Sequence, residues 1–203
     1  MSHKTYKPSQ QTKEKIIQKA LDVFNANGTA NVSLNSLAEE IGVSAGNLQY
    51  HYRNKKEIIR AILESMYKDW NLVYQEMVVP SFTMDTLRYI LEINFKLVWK
   101  YRFFYRELNA LLRNDKSLAK RYASIQEERL AEQEMIMKRM AGPGGVQPMS
   151  KSELRNIIVI GWVLSNSWLS YVESTGQTVD ESVMNEAVEV LIQHYMPYLQ
   201  ENI

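Results

Sequence analysis

The segment 32–56 constrains this chain more than any other, because its apolar spacing and central glycine predict two short helices joined by a tight turn. Leu34, Leu37, Ala38 and Ile41 recur at helical spacing. Gly42 follows; it takes φ > 0 without a steric cost and so can end the first helix and turn the chain. Val43 bridges to Ser44, an N-cap residue whose hydroxyl can accept a backbone N–H of the next helix. In that second helix Leu48 and Tyr52, four apart, face inward, and the small Ala38 lets the two helices cross closely. Left outward are Ala45, Gly46, Asn47, Gln49, Tyr50 and His51. Small, amide and aromatic side chains suit base edges and phosphates, so the segment predicts a helix-turn-helix that reads DNA.

Charge supports that placement once it is resolved along the chain. The net charge is only +1, yet residues 1–60 hold nine Lys/Arg against five Asp/Glu, and residues 61–203 hold fifteen against eighteen. The basic part coincides with the motif, where phosphate attraction is needed. At 203 residues the chain can bury a sizeable core in one or two domains. Without cysteine, disulfides and thiolate chemistry are excluded and a reducing compartment is compatible. No apolar run follows Met1-Ser2-His3-Lys4, and the longest near-continuous one, 157–164, falls far short of the roughly 20 residues of a spanning helix. A cytoplasmic protein with no membrane partner is expected.

Periodicity and breakers predict an all-α chain of about nine helices. Residues 1–8 read as an arm bounded by Pro8. Helices are expected over 9–26, 34–41, 45–51, 55–78 (stopped by Pro80), 84–100, 102–114, 116–140, 151–174 and 179–199. The stretch 141–148, rich in Gly and Pro, is the clear internal loop. Capping boxes announce the last two helices, at Ser150 with Glu153 and at Thr178 with Glu181.

The N-terminal quarter resembles the TetR family of bacterial transcriptional regulators. The resemblance rests on Phe24-Asn25-Ala26-Asn27-Gly28 closing the first helix, Ser33 as a polar helix start, Leu37-Ala38, the Gly42-Val43-Ser44 turn, Tyr50-His51-Tyr52, and Asn54-Lys55-Lys56-Glu57 opening a long helix. A second echo, in 101–130 and in Gly161-Trp162 and Trp168-Leu169, is similar to the C-terminal regulatory domain of one TetR-like branch. The resemblance implies a helix-turn-helix DNA-binding domain over 1–54 and an effector-binding and dimerisation domain over 55–203. It implies a double-stranded DNA operator as one partner, a small-molecule effector as another, and a homodimer through the last two helices, with no cofactor or metal.

Residue roles follow from groove chemistry together with that resemblance. Gln49 and Asn47 are the first candidates for base reading, since either amide can pair with adenine N6 and N7. Many family members carry an aromatic where this chain has Gln49, a departure that implies a different operator preference. Tyr50 and His51 are expected at phosphates, with packing of Tyr50 on the first helix as the alternative. Ser44, Ala45 and Gly46 allow close backbone approach. Ser33 and Lys55, at the starts of neighbouring helices, are expected to grip phosphate, Ser33 also as an N-cap. Tyr52 reads as core.

For the effector, the aromatic-rich second part supplies Trp70, Phe95, Trp99, Phe103, Tyr122 and Trp162, with Asn109 and Asn166 as polar anchors. Such a lining suits a lipophilic or amphipathic molecule. Any one of these aromatics also reads as plain core. The helix over 154–172 is apolar nearly all round, and Val183, Ala187, Val190, Leu191, His194 and Tyr195 recur at helical spacing, so both helices need covering by a partner or by the chain itself. Enzyme readings find no footing: there is no HExxH, no CxxC and no Walker-type loop, and His3, His51 and His194 lie far apart. The reading is a ligand-responsive repressor on a palindrome. Its alternative is a constitutive DNA-binding architectural dimer without effector.

Overall fold

Caps and apolar stripes form each of the helices that the sequence predicts, with shifted ends in the last. The computed structural model describes residues 9–76, 83–140 and 145–199. Among them are nine α-helices: α1 (Ser9–Asn27), α2 (Leu34–Ile41), α3 (Ala45–His51), α4 (Lys55–Glu76), α5 (Met84–Lys100), α6 (Arg102–Asn114), α7 (Lys116–Arg139), α8 (Lys151–Ser174) and α9 (Val183–Tyr195). A short 3-10 helix, Met196–Tyr198, closes the series, and an isolated antiparallel bridge pairs Val146 with Leu199. The expected arm over 1–8, the Pro80 stop and the first half of the 141–148 loop lie outside the described residues.

The chain divides into two compact units, Met1–Ser65 and Met66–Ile203, so the division falls inside α4. The first unit buries Ile16, Ala20, Leu21 and Phe24 of α1, Leu37, Ala38 and Ile41 of α2, Leu48 of α3, and Ile58, Ile59, Ile62 and Leu63 of α4. Gly28 and Gly42 take positive φ, 72° and 78°, where they end α1 and α2. Between those helices the chain is tied from a distance. The Lys55 ammonium donates to the carbonyl oxygens of Thr29 and of Val32, the latter at 2.7 Å. This cation thereby satisfies acceptors that follow the end of α1, where a positive charge is favoured.

In the second unit α8 packs on α6, α7 and α9, and α9 packs on α5. Helix α8 begins at the predicted Ser150 box, with Glu153 N–H donating to Ser150 Oγ (3.2 Å) and Ser150 N–H to Glu153 Oε2 (2.8 Å). The predicted Thr178 box does not form. Instead Asp180 accepts the Ser182 backbone N–H (2.8 Å) and hydroxyl (2.5 Å), and α9 starts at Val183. A short carboxylate two residues ahead of a donor competes with helix continuation in this way. At the other end Pro197 accompanies the change to a 3-10 turn, so α9 stops at Tyr195 rather than near 199.

Helices α8 and α9 are locked by close approach. Gly161 of α8 lies under Tyr195, and a Cβ there would sit 2.2 Å from the Tyr195 hydroxyl and 3.1 Å from its ring carbon Cζ. His194 Nε2 lies 3.1 Å from the Ile157 carbonyl oxygen, and the Trp168 indole donates to the Val183 carbonyl at 2.8 Å. Glycine here serves approach, not turning.

Two outcomes follow. Gly161→Ala is expected to lower stability by about 1–2 kcal/mol despite alanine's better helix propensity, because the methyl displaces the Tyr195 ring. In a Tyr195→Phe background, which removes the hydroxyl but keeps the ring carbon Cζ, the same change should cost clearly less, and a double-mutant cycle by urea unfolding checks it. Lys55→Met should cost about 2 kcal/mol by the same measurement, since two buried carbonyl oxygens lose a charged donor; a loss near zero would contradict the tie.

Candidate nucleic-acid interface

Helix α3 is built to show one face. The Ser44 hydroxyl accepts the Asn47 backbone N–H at 3.1 Å, which fixes the first turn, and Tyr52 leaves the helix in extended backbone. Leu48 is fully buried and Tyr52 nearly so, with the Lys13 ammonium 6.0 Å above the Tyr52 ring. Ala45, Gly46, Asn47 and Gln49 are therefore exposed as a group. Tyr50 is 84% exposed, which rules out its packing on α1, and its ring meets His51 edge-on at 5.2 Å.

The flanks of α3 are equally organised. Ser33 caps α2 through a reciprocal pair of serines: its Oγ accepts the Ser36 N–H at 3.0 Å, and Ser36 Oγ accepts the Ser33 N–H at 3.0 Å. After α3, Glu57 accepts the Arg53 N–H (2.9 Å) while Asn54 Oδ1 accepts the Glu57 N–H (3.1 Å). These bonds set the turn into α4 and leave Arg53 exposed beside the reading face. Lys55, expected at phosphate, spends two of its three donors on the carbonyls of Thr29 and Val32, so its first role is to hold the α1–α2 loop. The sequence signal for that tie is weak, because its partners lie 26 and 23 residues away.

The residues expected at an effector are only partly gathered. Phe95, Phe103 and Tyr122 are buried, and Trp70, Trp99, Trp162 and Asn166 are half-buried. Tyr122 meets Phe104 with ring centroids 5.7 Å apart. Trp99 carries the Arg102 guanidinium 4.5 Å over its ring. Asn109 does not join them. It is exposed on α6, because it points away from the side of the helix that buries Phe104 and Leu111.

Sequence reasoning missed a polar cluster between α4 and α7. The Arg129 guanidinium stands 4.8 Å from the Tyr67 ring and 4.4 Å from the Tyr74 ring, and a second guanidinium, Arg121, lies 4.7 Å from Tyr67. Arg129 bonds Glu132 Oε2 (2.5 Å), the Tyr67 carbonyl (3.3 Å) and Asn71 Oδ1; Gln133 donates to the Tyr74 hydroxyl at 2.7 Å. Burial pushes the phenols of Tyr74 and Tyr105 well above their ordinary range and that of Tyr122 up to about 12. The available signal was Tyr67, Asn71 and Tyr74 at i, i+4 and i+7, one face of α4.

Among the described residues no helix is long and apolar enough to cross a membrane, and no group of three or more His, Cys, Asp or Glu side chains could hold a metal ion.

Comparison with known proteins converges on one family. Residues 16–62 match the family model described as bacterial regulatory proteins, tetR family, and residues 65–203 match that of a bacterial transcriptional repressor, TetR. The HTH-type transcriptional regulator SrpR of Pseudomonas putida is 35% identical over 65 residues, 32% of this chain and 30% of that protein. The matched region spans about a third to a half of the length of such curated relatives. Among solved structures, a TetR-family transcriptional regulator from Marinobacter aquaeolei VT8 has a TM-score of 0.81 at 28% identity, over 93% of this chain and 91% of its own. AibR, solved in complex with isovaleryl coenzyme A and operator DNA, shares the fold at a TM-score of 0.65 and 14% identity, over 89% of this chain and 97% of its own. With one model covering the reading helix and its supports and the other covering most of the remaining chain, this protein belongs to the TetR family of DNA-binding bacterial transcriptional regulators.

Proposed function

We propose that the protein is a ligand-responsive repressor that binds a palindromic operator as a homodimer in the cytoplasm and is released by a small lipophilic or amphipathic effector. The observation that carries this reading is the outward face of α3, where Asn47, Gln49 and Tyr50 are exposed while Leu48 and Tyr52 anchor the helix from behind. In the major groove Gln49 and Asn47 read base edges, and Tyr50, His51 and the capped start of α2 at Ser33 meet phosphates. Residues 1–54 carry this reading, and 55–203 carry effector binding and assembly.

The dimer is supported by an apolar stripe that the chain itself leaves uncovered. On α8, Val159, Ile160, Val163 and Tyr171 are exposed, Val163 by 59%, opposite the face that buries Leu154, Ile157, Ile158 and Leu169. On α9, Val183, Ala187 and Leu191 are buried within the subunit, and Val190 and the following Met196 stay outward. The partner surface is therefore drawn mainly from α8. A twofold pairing there presents two copies of α3 to successive major grooves. An effector then acts by its differential affinity for the DNA-competent and released states. That one fold accommodates both ligand and operator is supported by AibR, whose solved complex contains each.

On an operator selected from a random duplex pool, Gln49→Ala and Asn47→Ala should each cost about 1–3 kcal/mol of specific binding and leave random-duplex affinity nearly unchanged. Titrations by fluorescence anisotropy on both duplexes separate the outcomes, and equal losses would defeat the base-reading roles. Val163→Asp should turn a micromolar dimer into a folded monomer in sedimentation, because a charge in the centre of an apolar interface must be desolvated. If the unaltered chain already sediments as a monomer, the homodimer is wrong.

A further inference from the structure

A reading helix needs cations beside it to hold the DNA backbone, and Lys55 is largely spent, because its ammonium donates to the carbonyl oxygens of both Thr29 and Val32. Two other cations of the first unit stand beside the end of α3. Lys13, on α1, holds its ammonium 6.0 Å from the centre of the ring of Tyr52, the residue that ends α3. Arg53 follows Tyr52 directly, on backbone fixed from both sides: the Tyr52 N–H donates to the Leu48 carbonyl at 2.8 Å, and the Arg53 N–H donates to Glu57 Oε2 at 2.9 Å. Lys13 and Arg53 are both exposed, and among the described residues neither belongs to an ion pair. The carboxylates next to them in sequence serve other donors, Glu14 accepting from the Gln10 amide and Glu57 from the Arg53 backbone.

We infer that Lys13 and Arg53 form a two-cation clamp on the sugar–phosphate backbone of duplex DNA at the C-terminal end of α3. Far apart in sequence, they come to the same tyrosine because α1 packs on α3. The occupant is DNA, since the clamp is continuous with the exposed face of Asn47, Gln49 and Tyr50, and residues 1–60 carry nine Lys/Arg against five Asp/Glu. Cations that have no carboxylate partner give up no ion pair on meeting phosphate, and the fixed backbone at Arg53 leaves only its side chain to be ordered. Phosphate contacts carry no sequence information, so the clamp acts alike on any duplex and is independent of the effector, the palindrome and the dimer.

The test titrates the full-length protein, by fluorescence anisotropy over a series of salt concentrations, on a random-sequence duplex and on an operator selected from a random pool. Lys13→Gln and Arg53→Gln should each weaken binding to both duplexes and flatten the dependence of log Kd on log salt. For each contact removed, the affinity lost between about 50 and 200 mM salt should shrink by about 3.5-fold per chain bound. The charge-keeping changes Lys13→Arg and Arg53→Lys should preserve the slope, which a purely structural role would not predict. Both positions are exposed, so melting temperatures should stay close to that of the unaltered chain. If Lys13→Gln unfolds early through its lost ring contact, Arg53→Gln decides. An unchanged slope in either folded Gln variant overturns the paired clamp, and a loss confined to the selected operator overturns it in favour of base reading. If the unaltered chain binds neither duplex at low salt, the clamp falls together with the reading helix's role.

Discussion

A helix of seven residues cannot sustain itself in water, where about 12–15 are needed even for good helix formers, and α3 has seven. Its existence depends on the burial of Leu48 and Tyr52 beneath it and on the Ser44 cap at its start. Everything that touches DNA in the proposed reading hangs from that anchoring. Because two side chains do the holding, Asn47, Gln49 and Tyr50 are released from structural duty and can face outward. Gly42, at φ 78°, sets the direction in which they face.

The same division of labour recurs in α8, with a different partner in view. One side of that helix supplies core residues and a glycine that admits Tyr195; the other carries Val159, Ile160, Val163 and Tyr171 into solvent. A helix apolar on both faces is stable in water only if both are covered. In the proposed reading, a twofold partner covers what α8 leaves open.

The interior of the second unit is aromatic yet not simply greasy. Arg129 is sandwiched between Tyr67 and Tyr74 and tied to Asn71, so α4 and α7 are joined by stacked and hydrogen-bonded groups rather than by aliphatic packing. Stacking suits a guanidinium, which is weakly hydrated and planar, and no lysine could replace it there. Polar interiors of this kind cost stability unless their groups are paired, as Arg129 is with Glu132 and Asn71.

What the sequence determined by itself was the chemistry contained within a few residues. The Gly42 turn, the Ser44 cap, the Ser150 box and the stripe of α1 follow from spacings of one to four residues, and all appear as read. Where two local signals competed, near Thr178, the shorter Asp180 side chain prevailed and α9 began later. Tertiary structure alone decided which polar groups are buried. Arg129 meets partners 58 and 62 residues away, and Lys55 meets one 26 away. It likewise turned Asn109 outward and spent Val183, Ala187 and Leu191 of α9 inside the subunit while leaving α8 uncovered. The physical reason is range. Capping and periodicity act through the backbone over one turn of helix, whereas burial depends on which distant helix arrives on which side, and one strand of sequence carries no record of that distance.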